Sequence, residues 1–207
     1  MARSNILELM DTGYPVAIRF VQDAASSMTH KLFCELVQSA RNGDNVTFSE
    51  QGCPVGAYVL GRDTPRPDDY YHRSGRYRDR ASAVEAVNSL PRLMSQYTSI
   101  QLFPITKSSD KYDILLLFLS PYKAMLIIQA MSYHTGLPSE FRTGGIASIC
   151  GDCTAAAENY HQLCISLGCK GSRKHSRYGD DEVIVGIPKK LVIPIQDWLE
   201  AIPGVFD

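Results

Sequence analysis

The side chains of this sequence best suited to chemistry are six cysteines, spread through 207 residues. In a chain that opens without an export-type segment, they read as thiols, metal ligands or redox groups rather than as a disulfide framework. The tightest pair is Cys150-Gly151-Asp152-Cys153, between a strand-like run at 146–149 and a helix expected to start near Thr154. Unpaired N–H groups at a helix start stabilise a thiolate, which is the geometry dithiol redox motifs use. The pair lacks the aromatic neighbour and downstream proline of a thioredoxin-like site, so dithiol chemistry through Cys150 and Cys153 is only one of its readings. Cys169-Lys170-Gly171-Ser172-Arg173 follows Gly168 and opens the strongest positive run in the chain, extended by Lys174, His175 and Arg177. Cations there would depress the thiol pKa, and a glycine-flanked backbone could cradle an anion through Lys170, Gly171, Ser172 and Arg173. The plain alternative is a solvated basic loop, since no Walker-type glycine pattern accompanies it.

Two more cysteines sit on expected helices. Leu32, Phe33, Leu36, Val37 and Ala40 form an apolar stripe that leaves Cys34 on its flank, with Gln38 and Arg41 four and seven residues on. A thiol, an amide and a guanidinium could therefore converge, or the thiol could be an inert half-buried group. Cys164 falls among Tyr160, Leu163 and Leu167 on the apolar face of the helix expected from Thr154, and reads as core filling. Of the five histidines, His161 or His175 could serve as base to a nucleophilic Cys150 or Cys169, whereas His134 and His161 also read as structural.

The elements that position these groups alternate. Residues 14–21 alternate in facing and make a strand, and the next helix, capped by Thr29, stops at Gly43 before a loop delivers Cys53-Pro54-Val55-Gly56. Residues 113–119 read as a fully buried strand, followed by Ser120 as N-cap, Pro121 at the first helical position and a helix to Gly136. A loop with Gly144-Gly145 then leads to Cys150, so 14–61 and 112–160 form a candidate internal duplication within one domain spanning 1–207. Between them, 61–77 is rich in Pro, Asp, Arg and Tyr and is expected to be the mobile loop, ahead of a helix at 81–90 and a strand at 100–105. A last strand, 182–187, precedes an amphipathic segment around Ile195, Trp198, Leu199 and Ile202. The expected fold is α/β, with α+β as the alternative: a mixed sheet with helices, two pseudo-repeated lobes in one compact unit.

Composition narrows the partners. Lys and Arg total 21 against 22 Asp and Glu, so no global charge draws the chain to nucleic acid or an anionic membrane. The most apolar stretch, 114–131, is split by Ser120-Pro121-Tyr122-Lys123 into two halves too short to cross a bilayer. With no signal-peptide pattern, the expected location is the cytoplasm.

Taken in order, Phe33-Cys34-Glu35-Leu36, Cys53-Pro54-Val55-Gly56-Ala57-Tyr58-Val59-Leu60-Gly61, Gly144-Gly145 to Cys150, Cys169-Lys170-Gly171-Ser172-Arg173 and Asp180-Asp181-Glu182-Val183-Ile184-Val185-Gly186-Ile187-Pro188 resemble the DUF169 proteins of archaea and anaerobic bacteria. The resemblance runs from about Pro15 to Trp198 and implies no particular activity. It does single out Cys34, Cys53, Cys150 and Cys169 as the family's cysteines and sets Cys153 and Cys164 apart. Four thiolates are what an iron–sulfur cluster or a tetrahedral zinc requires, and the anaerobic setting the resemblance implies favours iron–sulfur. The expectation is therefore a thiolate-metal protein whose four cysteines meet between two lobes, with Arg41 and Arg173 tuning charge. Two alternatives stand beside it: a small-molecule or anion-binding module with the basic loop as grip and Tyr70-Tyr71-His72 as lid, and a thiol-dependent enzyme.

Overall fold

The computed structural model describes residues 5–22, 27–106 and 111–202. Its strands are β1 (Val16–Val21), β2 (Val46–Phe48), β3 (Ser99–Pro104), β4 (Ile114–Leu119), β5 (Cys164–Ser166) and β6 (Val183–Pro188). They form one sheet in the order β2-β3-β1-β4-β6-β5, and every ladder between them is antiparallel. The α/β layering expected from the sequence is present, but the sheet expected to be mixed is a single antiparallel one.

The apolar run of β4 explains the layers. Successive side chains of a strand point to opposite faces, so a strand apolar at every position needs cover on both. Ile114, Leu116 and Phe118 join Val16, Ile18, Leu102 and Ile184 in one core, while Leu115, Leu117 and Leu119 join Ala17, Val185 and Ile187 in the other. The first face is covered by α1 (Phe33–Arg41), α2 (Pro54–Val59), α4 (Arg80–Asn88) and a π-helix, Ser148–Ala155. The second is covered by α5 (Pro121–Thr135) and α8 (Lys189–Ala201). The strand–helix units of the expected duplication thus lay their helices, α1 and α5, on opposite faces.

Where local signals are strong, the expected elements appear. Ser120 caps α5 through the Lys123 N–H, Pro121 begins it, and Gly136 ends it at φ 67°. Helix α1 starts later than Thr29 suggested, because the Glu35 carboxylate accepts the Leu32 N–H at 2.8 Å and fixes the start there. Three expectations are corrected. The helix expected from Thr154 is instead the π-helix, then α6 (Ala156–Tyr160), stopped by His161 at φ 51°, then β5. Cys164 does fill the core, but from a strand. The expected loop at 61–77 contains α3 (Asp68–Arg73), with Tyr71 only 1% exposed, so the supposed lid is anchored at its centre while Tyr70 and His72 are exposed. The basic run after Gly168 is a helix, α7 (Lys170–Ser176).

Gly186 in β6 lets the π-helix rest on the sheet: a Cβ there would stand 2.0 Å from the Cys153 carbonyl oxygen. That close approach fixes the depth of Cys150, three residues earlier in the same helix.

A four-thiol candidate site

Four cysteines reach one region of the first face from four separate elements. Cys34 is the second residue of α1, Cys53 caps α2, Cys150 lies in the π-helix and Cys169 caps α7. Each of the two capping thiols accepts a main-chain N–H three residues on: Gly56 to Cys53 at 3.2 Å, and Ser172 to Cys169 at 3.3 Å. Sulfur here does the work usually given to a serine or aspartate oxygen at a helix start. Helix α7 packs on α1, where the Ser176 hydroxyl donates to the Cys34 carbonyl at 2.8 Å.

Cys34, Cys53 and Cys150 each respond to the charge of Cys169. Burial pushes Cys34 far above its ordinary value, and Cys169 and Cys53 add to the rise. Burial likewise raises Cys150 strongly, reinforced by Cys34, Cys53 and Cys169. Cys53 is raised by burial and Cys169, against hydrogen bonds from the Gly56 and Val55 N–H groups and the charge of Arg76. Cys169 alone goes down: burial works against its thiolate, but hydrogen bonds from the Ser148 main chain and from Ser172 outweigh it. The four sulfurs therefore share one electrostatic neighbourhood with one thiol poised to ionise. Among the described residues, no three Cys, His, Asp or Glu side chains are gathered tightly enough to hold a single metal ion.

Two tyrosines close the neighbourhood. Tyr71 is raised first by burial and then by Cys150 and Cys169, and Arg76 partly offsets this. Tyr178 is pushed up to about 12, mainly by burial; its hydroxyl lies 2.8 Å from Ser172 Oγ and its ring 5.3 Å from that of Phe118. Tyr178 and Arg76 were not identified from the sequence, and Tyr71 only as part of the expected lid. The only trace of them was the Tyr70-Tyr71-His72 segment, where local pattern does not reveal which ring turns inward.

The CxxC pair separates. Cys150 faces the other three thiols, whereas Cys153 meets the Ile184 carbonyl at 3.5 Å and is shifted, after burial, by Asp152 and Cys164. A π-helix closes i to i+5, so a residue three positions on is well short of a full turn and faces elsewhere. Asp152 points away from both toward Ser166, whose hydroxyl donates to it at 2.8 Å.

Of the expected charge-tuning groups, Arg41 is engaged elsewhere. It is 4% exposed, pairs with Glu182 at 2.6 Å, donates to the Thr12 hydroxyl at 2.8 Å and lies over the Phe118 ring. Arg173 is a clamp: its guanidinium donates to the carbonyls of Gly179, Leu167 and Glu182 and stacks on Tyr178. Ser172 is fully buried between Cys169 and Tyr178, Gly171 lies beside the Cys169 sulfur, and Lys170 is exposed. His175 meets Glu35 at 3.3 Å, and His161 is exposed after α6. The residues read as an anion cradle thus include one exposed cation, with the rest absorbed into the thiol site and its supports.

Comparison with known proteins adds the family. The model of the DUF169 family, described as uncharacterised ArCR, matches residues 7–196. An uncharacterised protein of Methanocaldococcus jannaschii, MJ0308, is 29% identical over 180 residues, covering 83% of this chain and 76% of its own length. No solved structure matches the chain.

Proposed function

The chain belongs to the DUF169 family, and from the meeting of its four thiols we propose that it is a thiolate-metal protein of the cytoplasm, holding an iron–sulfur cluster through Cys34, Cys53, Cys150 and Cys169. One observation carries the reading: Cys34, Cys53 and Cys150, far apart in sequence, lie in or against the core of one sheet face, and the ionisation of each is shifted by Cys169. The donor set supports a soft metal, since sulfur dominates it. The anaerobic setting that the family resemblance implies favours a cluster over zinc. Such a group supplies electron transfer when bound. The chain's own part is to hold the sulfurs as thiolates against the cost of burial: main-chain N–H groups at Cys53 and Cys169 and the charge of Arg76 nearby serve that end. Within the described residues no helix is long and apolar enough to cross a membrane, which accords with the proposed location.

Isolation without oxygen, followed by visible spectra and assays of iron, zinc and acid-labile sulfide, tests this. Iron and sulfide in equal amounts, lost when any one of the four is changed to alanine but kept in Cys153→Ala and Cys164→Ala, are expected. A folded, colourless, metal-free anaerobic preparation would overturn the proposal.

The lowered pKa of Cys169 favours a second reading, a thiol-dependent enzyme with Cys169 as nucleophile. Metal-free protein with one fast-reacting thiol at Cys169 and no affinity for iron or zinc would select it.

A further inference from the structure

A cavity of about 450 Å³ opens on the other side of the π-helix from the thiol site. Its walls include Tyr77, Leu90, Ile146, Ala156 and Leu163, all apolar or aromatic, and Asp152 reaches into it from between Cys150 and Cys153. Asp152 is 7% exposed, whereas Glu140 and Arg142, the other charged residues of the lining, are exposed at the rim. One carboxylate therefore sets the charge of the interior. Its carboxylate is held in place by the Ser166 hydroxyl, which donates to it at 2.8 Å. The size suits a small organic molecule, and apolar and aromatic walls with a few polar groups among them, here Thr143, Gln162 and Asp152, are the usual form of such a site. The basic α7 does not contribute to it, so the anionic ligand expected from the sequence finds no cation inside.

We propose that this cavity binds a small organic cation, an amine carried on an apolar or aromatic body, with the ammonium group directed to Asp152 and the body against Leu90, Ile146 and Leu163. The proposal stands apart from the metal reading, because none of the four thiols lines the cavity. The two sites share a wall nonetheless. Tyr77 packs edge-on against Tyr71 at 6.0 Å, and Asp152 adds to the rise of the Cys150 pKa. An occupant would thus meet the back of the segment that presents Cys150.

Titration of the folded full-length chain at pH 8 with phenethylamine, 2-phenylethanol and 3-phenylpropionate, followed by amide NMR, tests it. The amine is expected to bind at least tenfold tighter than the carboxylate, shifting amides of residues 142–146 and 152–163, and Asp152→Asn is expected to abolish that preference. Leu90→Trp, which fills the cavity from the opposite wall and leaves Asp152 in place, is expected to lose all three probes. Absence of binding by every probe, a carboxylate bound as tightly as the amine, or an amine preference that survives Asp152→Asn would each overturn the proposal. The four-thiol spectra and metal assays are read separately on the same samples, so failure of one site is distinguishable from failure of the other.

Discussion

Cys53 and Cys169 hold the same position in two unrelated helices: each is the residue before the first turn, and each accepts the N–H three residues on through its sulfur. They differ in what else reaches them. Cys169 is also hydrogen-bonded from the Ser148 main chain and the Ser172 side chain, and its pKa falls below the ordinary thiol value while that of Cys53 rises.

That difference predicts an order of reaction. In metal-free, reduced protein at pH 7, iodoacetamide should label Cys169 first and the buried Cys150 and Cys153 last, because thiolate fraction and access both set the rate. Ser172→Ala removes a hydroxyl that favours the thiolate and ties down the Cys169 main chain, and a loss of about 1 kcal/mol should slow Cys169 about fivefold. Peptide mapping by mass spectrometry gives the order; labelling of Cys34 or Cys150 ahead of Cys169 would contradict it.

Gly186 predicts a backbone effect on the site. Gly186→Ala places a methyl group 2.0 Å from the Cys153 carbonyl, a clash with main chain rather than a flexible side chain. The π-helix must lift from β6, at a cost of about 3 kcal/mol or more. Urea unfolding should show that loss, and the anaerobic protein should bind less iron per folded molecule even though no thiol has been removed. A variant of native stability would mean the strand and π-helix are not held at this separation.

The sequence made β1, β3, β4, β6 and α5 legible because their signals are local, as in the unbroken apolar run of β4, the Ser120-Pro121 start and the Gly136 stop, whereas the three-residue β2 fell in a stretch read as loop. It hid the short α7 because cysteine is not among the usual capping residues, so Cys169 read as part of a loop. It hid β5 because Tyr160, Leu163 and Leu167 are spaced as a helix would space them, while His161 breaks the helix between them. The π-helix leaves no side-chain pattern at all, since its signature lies in main-chain hydrogen bonds. The grouping of the four cysteines came only from the family resemblance; no spacing along a chain tells which distant residues a sheet will bring together.

Arg41 shows how a face can be right and a distance wrong. It shares a flank of α1 with Cys34, but seven residues are about 10 Å of helix, enough to carry its guanidinium to Glu182 and Thr12. Arg41→Ala leaves the Glu182 carboxylate, itself little exposed, without its partner. Breaking such a pair from one side costs about 3–5 kcal/mol. Thermal unfolding should fall accordingly, while metal content per folded molecule and the reactivity of Cys169 stay unchanged. A shift in either of those with stability preserved would return Arg41 to the thiol site.

Asp152 carries the clearest dependence of stability on pH. Its carboxyl is raised from 3.8 to about 6, chiefly by burial. A carboxyl raised on folding keeps its proton in the folded chain after the unfolded chain has lost it. Stability on its account is full below about pH 4 and declines as pH climbs to about 6. A shift of about two units corresponds to a loss on the order of 3 kcal/mol at neutral pH. Asp152→Asn removes the ionisation while keeping an amide that can accept from Ser166. Its stability relative to the unaltered chain should therefore improve steadily between pH 4 and pH 7 and level off above. The other titratable groups at this place are Cys150, Cys153 and Cys164, which stay protonated over that range, and the exposed Glu140 and Arg142 at the cavity rim. Guanidinium unfolding of both proteins across the range gives the comparison. A difference that does not change with pH would mean the carboxyl titrates in the folded chain as it does in water, and that its burial costs the ionised form nothing.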